Sequence, residues 1–324
     1  MALLRVENLS GIEEGKTTVK DISFSQERFE KIAIAGETGA GKTSLLKMIA
    51  GLMQPASGQV LLNGNRVKGP DEQLIAGHKK VAFLSQHFEL RNNYRVYEWL
   101  EMANLLGQEA AQQLYSICQV DHLLNRWTDE LSGGEKQRIA LARLLSTSPE
   151  ILLLDEPYSN LDMLHKQQMK EVIERLAEEM QITCILVSHD ALDILSWADT
   201  VFFMRNGSIV QQGTAEELYK KPVDEYCAAL LGAYNLIDIS AIPSLREMNR
   251  TGKKLFCRPG QVRLTQLETS AIKGTVKKIL YWGSYYTIDV LLHGQLVCVQ
   301  TAQHQLSPGE QTGLEFERAN AWYI

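Results

Sequence analysis

The sequence predicts an α/β protein with a small all-β domain at its C-terminal end, and three observations carry that prediction. Short, largely apolar runs recur at 31–35, 81–84, 151–154, 183–187 and 201–204, the pattern of strands covered on both faces in a buried, mostly parallel sheet. Between two of these runs, Met169, Val172, Ile173, Leu176 and Met180 form one helical stripe, as a crossover helix does. After Gly232 the character changes to strict alternation, with Ile288, Val290 and Leu292 on one side of a strand. At 324 residues the chain exceeds one ordinary core and suits a large domain, 1–232, followed by a small one, 233–324.

Taken in order, the strand at 31–35 runs into a glycine-rich turn, after which Leu45, Leu46, Met48, Ile49 and Leu52 repeat at helical spacing. Asn63-Gly64 and Asn206-Gly207 read as hairpin turns at antiparallel edges. Residues 87–143 contain several helical stretches and no clear strand, which predicts a helical insertion in the sheet domain. The segment 274–300 alternates around turns at Gly283-Ser284 and His293-Gly294, predicting a small β-barrel. Tyr281, Trp282, Tyr285 and Tyr286 have little basic charge around them, so they are expected in the barrel core and an interface and not on a nucleic-acid stacking platform.

Composition narrows the function classes. With 45% hydrophobic and 22% charged residues, a folded globular chain is expected. A net charge of −6 argues against a duplex nucleic-acid partner, which needs a clustered basic face. No apolar run approaches the about 20 residues that span a bilayer, so a membrane role requires a partner. Arg5 and Glu7 interrupt the first ten residues before an apolar signal region forms, and the expected location is the cytoplasm. Cysteines 118, 184, 227, 257 and 298 have neither metal-site nor disulfide-framework spacing and are expected to be reduced, mostly core residues.

Gly36-Glu37-Thr38-Gly39-Ala40-Gly41-Lys42-Thr43, followed by Ser44, matches G-x-x-x-x-G-K-[ST] between a strand and a helix. Its backbone N–H groups can cradle phosphate, aided by the helix N-terminus, with Lys42 neutralising the β- and γ-phosphates and Thr43 ligating Mg²⁺. ATP and Mg²⁺ are therefore the expected nucleotide and metal. Asp155 and Glu156 end the strand at 151–154, where open α/β sheets present ligands. Asp155 is expected to hold the metal through water, and Glu156 to orient and deprotonate the water that attacks the γ-phosphate.

Leu131-Ser132-Gly133-Gly134-Glu135-Lys136-Gln137-Arg138 is the motif by which the chain resembles the ABC ATPase family specifically. Physically, Ser132 and Glu135 make an S-x-x-E capping box, so a helix starts here with its positive dipole end exposed and two glycines to let phosphate approach. The resemblance implies that Ser132, Gly133, Gly134 and Gln137 reach the ATP held by a second copy, in a head-to-tail homodimer. It also assigns Gln86 to the glutamine that touches Mg²⁺ or water, Ser159-Asn160-Leu161-Asp162 to the loop that communicates across the dimer, and His189 to the switch histidine at the γ-phosphate. Taken alone, His189 is an ordinary strand-end histidine and Asp190 a helix N-cap. The resemblance covers 1–232. One departure stands out: the family usually stacks an aromatic residue on adenine, whereas Gly11-Ile12-Glu13-Glu14-Gly15 has none, so weaker base discrimination is expected.

Residues 213–222, Leu231-Gly232 and Cys257-Arg258-Pro259-Gly260-Gln261 resemble importer ATPases with a C-terminal TOBE domain, an oligonucleotide-binding-type barrel. The fold implied is a P-loop NTPase cassette with a helical subdomain at about 87–143 plus this barrel. The function implied is an ATPase subunit of an importer, peripheral at the cytoplasmic face of the plasma membrane, working with separate permease subunits and indirectly with an extracytoplasmic solute-binding protein. An exporter ATPase, and a soluble cassette protein acting on DNA or ribosomes, are the alternatives, and the TOBE-like tail and single signature disfavour them. A nucleotide-binding module without turnover is a third, against which Glu156 argues. The cargo stays open among polyamine, iron, molybdate, sulfate and sugar.

Overall fold

Alternation of apolar and polar residues makes the first strand: β1 (Leu4–Glu13) buries Leu4, Val6 and Leu9 and exposes Arg5 and Asn8. The computed structural model describes residues 2–86, 90–159, 161–242, 244–245, 253–316 and 321–324; His87, the expected start of the helical region, and Asn160 lie outside these. The chain divides into two units, Met1–Ala215 and Glu216–Ile324.

In the first unit, β1 pairs antiparallel with β2 (Lys16–Gln26) and β4 (Ser57–Leu62), and β4 with the short β5 (Asn65–Arg66). The central sheet is built from the apolar runs read in the sequence: β3 (Lys31–Ala35), β6 (Val81–Leu84), β7 (Ile151–Asp155), β8 (Thr183–Val187), β9 (Thr200–Arg205) and β10 (Ser208–Gly213). Its order is β10-β9-β3-β8-β7-β6, parallel except where β10 turns back on β9. That turn, Asn206-Gly207, has φ of 52° and 84°, and Asn63-Gly64 has 49° and 74°, as the right-handed twist of hairpins favours.

The sheet carries a core on each face. Alternate residues of β7 divide between them: Leu152 and Leu154 join the cluster that holds Met169, Val172, Ile173 and Leu176, whereas Ile151 and Leu153 join the one that holds Leu45, Leu46, Met48 and Ile49. Those sets are the inward faces of α5 (Met163–Glu179) and α1 (Lys42–Ile49). Between β6 and β7 come α2 (Val96–Glu101), α3 (Gln108–Ile117) and α4 (Gly133–Leu145), so the described part of 87–143 is largely helical; α6 (Ala191–Leu195) follows β8. The end of β3, the end of β7 and the end of β8 thus lie side by side at one edge of the sheet, each followed by a loop that enters a helix.

The strand pairs of the second unit are all antiparallel. After α7 (Ala215–Lys220) and α8 (Glu225–Leu230), β11 (Asn235–Ile237), β12 (Leu255–Cys257) and the C-terminal Trp322–Tyr323 form a three-stranded sheet. Val262–Thr265, Lys273–Tyr281, Tyr286–Leu292, Gln295–Thr301 and Gln311–Phe316 form a five-stranded one, and its two edge strands, Val262–Thr265 and Gln295–Thr301, approach each other so that the sheet curls. Ile288, Val290 and Leu292 are all fully buried, as their alternation requires, and His293-Gly294 makes a two-residue turn with φ of 46° and 83°.

One expectation differs in part from the structure. Tyr281 and Trp282 are 66% and 57% exposed at the tip of a hairpin, where Trp282 Nε1 donates to Thr287 Oγ1 at 2.9 Å, so they are not core residues. Within the second unit, Arg258, 1% exposed, donates to the main-chain oxygens of Tyr219, Ala228, Gly232 and Ala233 at 2.9 to 3.1 Å and stacks over the Tyr219 ring at 4.2 Å. A guanidinium with backbone partners on both helices ties α7 and α8 to the strand that follows them.

Candidate functional site

The glycine-rich turn between β3 and α1 owes its shape to close packing. A Cβ on Gly36 would lie 2.4 Å from Met204 O, and one on Gly41, at φ 98°, 2.0 Å from Thr18 O, so both positions exclude any side chain. Gly41 caps α1, whose first N–H groups have no intrahelical partner. Lys42 is 7% exposed and donates from Nζ to Gly36 O and Glu37 O at 2.7 and 2.9 Å. Burial holds its ammonium below the usual lysine range, an effect that Glu156, Asp155 and Glu37 oppose. Ala40 is buried and Gly39 adopts φ 84°; Ser44 donates to Glu13 Oε2 at 2.9 Å.

Beside this loop stands Asp155, at the end of a strand buried along its whole length. It is 5% exposed, and burial pushes its carboxyl up; a hydrogen bond from the Thr43 hydroxyl opposes the shift, and the charge of Glu156 adds to it. A buried acid next to a hydroxyl, at the mouth of a loop lined by N–H groups, is the hard-oxygen arrangement that suits Mg²⁺ held by few protein ligands and by phosphate. Among the described residues no group of three His, Cys, Asp or Glu side chains is placed to hold a metal alone. Thr43 and Asp155 fit the ion, with the exposed Gln86 at the end of β6 as a third oxygen donor.

Glu156 sits at φ 50°, a backbone conformation uncommon for a residue with a side chain, and its N–H is held by Val187 O at 3.0 Å. Its Oε2 lies 3.2 Å from His189 Nδ1. Gln86, Glu156 and His189 line one cavity of about 370 Å³, together with Tyr158, Ser159, Lys166, Ser188, Asp190 and Asp193. The structure therefore gathers at one place three residues that lie more than thirty positions apart in the chain. Tyr158, Lys166 and Asp193 were not found by sequence reading, since no motif spacing marks them.

The tip of α4 is capped as expected: Ser132 Oγ accepts from Glu135 N at 3.3 Å, and Ser132 N donates to Glu135 Oε2 at 2.7 Å. The N–H groups of Gly133 and Gly134 have no partner within the helix. A Cβ on Gly133 would meet nothing within 4 Å, but one on Gly134 would lie 2.6 Å from the His165 ring. Gln137 behaves differently from its neighbours, being 3% exposed and donating to Pro157 O at 2.6 Å. Its side chain is used inside the protomer and not displayed at the helix tip. Asp162 caps α5, accepting from His165 N at 2.9 Å, and that backbone bond, ahead of the His165 side chain, holds its carboxyl below the usual range. Ile12 stands 54% exposed at the end of β1.

The chain is similar to known proteins along most of its length. A family model described as ABC transporter matches residues 19–159, and one described as TOBE domain matches 255–324. The chain is 31% identical to the sulfate/thiosulfate import ATP-binding protein of Synechocystis sp., across 85% of this chain and 81% of that one. It is 36% identical to the molybdate/tungstate import ATP-binding protein of Pyrococcus abyssi, across 76% and 72%. Among solved structures it resembles cbiO1 from Clostridium perfringens, part of the ABC transporter complex cbiONQ, with a TM-score of 0.58 and 25% identity over 67% of this chain and 90% of that one.

Proposed function

This chain belongs to the ABC transporter family, and from that premise we propose that it is the ATP-binding and ATP-hydrolysing subunit of an importer. Both curated relatives described above are import ATP-binding proteins, for sulfate or thiosulfate and for molybdate or tungstate, and the likeness extends through the TOBE domain. Among the described residues no helix is long and apolar enough to cross a membrane. On this reading the cargo passes through separate permease subunits, and the chain acts beside them at the cytoplasmic face. A solute-binding protein outside the cell would deliver the cargo to that permease.

The observation that carries the reading is the pairing of Glu156 with His189 at 3.2 Å, in the cavity that Gln86 also lines, one residue beyond the buried Asp155. The phosphate loop, residues Gly36 to Ser44 in number order, takes the triphosphate on its N–H groups, and Lys42 supplies charge to the β- and γ-phosphates. Thr43, Asp155 and Gln86 would hold Mg²⁺, which neutralises charge on the phosphates when bound. Glu156 accepts the proton of the attacking water, and His189 orients that carboxylate and contacts the γ-phosphate. Two copies meet head to tail, so that the N–H groups of Gly133 and Gly134 and the Ser132 hydroxyl of one close over the ATP of the other. Asp162 lies at that boundary, and Gln137 acts through Pro157, which follows Glu156.

Replacing Glu156 by Gln keeps the shape and removes the base. The expected outcome is loss of steady-state ATP hydrolysis by roughly two orders of magnitude or more, with a Mg-ATP-dependent dimer accumulating on gel filtration. Wild-type turnover in this variant would overturn the assignment of Glu156.

A further inference from the structure

Asp193 is the most deeply buried carboxylate near the cavity and no sequence motif used above includes it. Its side chain is 1% exposed, and a polar group buried that far needs polar neighbours. Three groups surround it. Lys170 Nζ lies 2.6 Å from Oδ1 and Lys166 Nζ 3.1 Å from the same oxygen, while the Ser188 hydroxyl donates to Oδ2 at 3.0 Å. Lys166 also contacts Asp190, and the two ammonium groups lie over the Tyr158 ring, 6.0 and 5.7 Å from its centroid.

The position of Ser188 gives this cluster its consequence. Ser188 immediately precedes His189, and its oxygen accepts from Asp190 N at 3.1 Å, so one hydroxyl bridges the chain on both sides of the histidine while donating a hydrogen bond to Asp193. The two lysines stand four residues apart on one face of α5. That helix is capped by Asp162, and its His165 packs under Gly134 at the tip of α4. An unbroken series of contacts therefore runs from Gly134 through His165 and Lys166 to Asp193, Ser188 and His189.

We propose that Asp193, held by Lys166 and Lys170, is a positioning residue for His189 that fixes the histidine to α5 and so to the tip of the signature helix. The proposal rests on the role given to His189 above. Asp193 touches no reacting atom; it acts by setting where the imidazole stands relative to Glu156, and a small displacement of a group in that position costs catalysis far more than binding.

The test uses the full chain, with ATP hydrolysis measured at saturating and limiting Mg-ATP alongside thermal melting. Asp193→Asn should lower kcat about tenfold or more while leaving KM within about twofold, and Asp193→Glu, which keeps the charge, should recover most of the loss. Made in a His189→Ala background, Asp193→Asn should cost little further, because its effect passes through the histidine. Wild-type kcat in Asp193→Asn overturns the proposal, as does an undiminished loss in the His189→Ala background. Should Asp193→Asn fail to fold, the double variant Lys166→Met/Lys170→Met, altering two partly exposed side chains, replaces it: a lowered kcat supports the proposal and wild-type kcat overturns it. Wild-type kcat in His189→Ala alone would instead remove the role of the histidine, a failure separate from that of Asp193.

Discussion

Gln137 donates its side-chain N–H to Pro157 O at 2.6 Å, joining the first turns of α4 to the residue that follows Glu156, the proposed base. Both ends of this bond are buried, so whatever moves the helix tip also pulls on the segment that carries Glu156. Gln137→Leu keeps the volume and removes the donor, leaving a buried carbonyl without its partner at a cost of about 1–3 kcal/mol. The expected outcome is a lower melting temperature together with a kcat reduced more than KM; hydrolysis at the wild-type rate would show that the bond carries no coupling.

The two signature glycines should respond differently to the same change. A methyl group on Gly134 meets the His165 ring at 2.6 Å, whereas one on Gly133 meets nothing within 4 Å. Gly134→Ala is expected to destabilise the chain by about 1–3 kcal/mol, the usual cost of overpacking, and Gly133→Ala by much less. Adding His165→Ala to Gly134→Ala should return part of the lost stability, and denaturant melts of the three variants and the wild type check this.

Asp155 links stability to pH with a definite sign. Because burial raises its pKa in the folded chain, the folded state holds a proton that the unfolded state releases at its ordinary value of 3.8. Stability contributed at this site is therefore lost as pH rises from 3.8 through the raised value, and stays lost above it. Asp155→Asn keeps an acceptor for the Thr43 hydroxyl and does not titrate. Its melting temperature should exceed that of the wild type near neutrality, with the gap closing as pH falls through this window, while Mg²⁺-dependent hydrolysis drops by about tenfold or more. A gap that widens on acidification would contradict the assigned direction.

How much of this was legible in the sequence depended on whether the chemistry is local. The phosphate loop and the capping box are written in consecutive residues, since a backbone turn at Gly41 and a helix start at Ser132 each need particular residues at fixed offsets. The alternation of Ile288, Val290 and Leu292 gave the buried face of the small domain for the same reason. Contacts between distant side chains left no such trace: the lysines of α5 have the same spacing as any solvated pair on a helix, and nothing in the sequence says that a buried Asp193 stands opposite them. Arg258 is a similar case, because its partners are main-chain oxygens, which every residue has, and so α7 and α8 read as part of the first domain. Tyr281 and Trp282 are exposed whereas Tyr286 packs against the barrel core, as apolar character alone does not separate a core position from a hairpin tip.

The nucleotide base remains the least constrained part of the substrate. At the end of β1, residues 11–15 include no aromatic side chain; Ile12 stands 54% exposed, and its neighbour Glu13 accepts a hydrogen bond from Ser44 at the start of α1. A sec-butyl side chain offers a purine apolar contact but no π-face, so the triphosphate, which ATP and GTP share, is expected to carry most of the binding energy. GTP is therefore expected to support hydrolysis with a kcat/KM within about tenfold of ATP, since a difference of that size corresponds to only about 1.4 kcal/mol. Ile12→Tyr restores a stacking surface, and because base–aromatic stacking is worth about 1–3 kcal/mol, the variant should bind ATP at least about fivefold more tightly. Competition between the two nucleotides, measured on both proteins, separates the possibilities: a strong preference for ATP in the wild type would mean that residues other than Ile12 read the base, and an unchanged affinity in Ile12→Tyr would mean that the base does not lie over the end of β1.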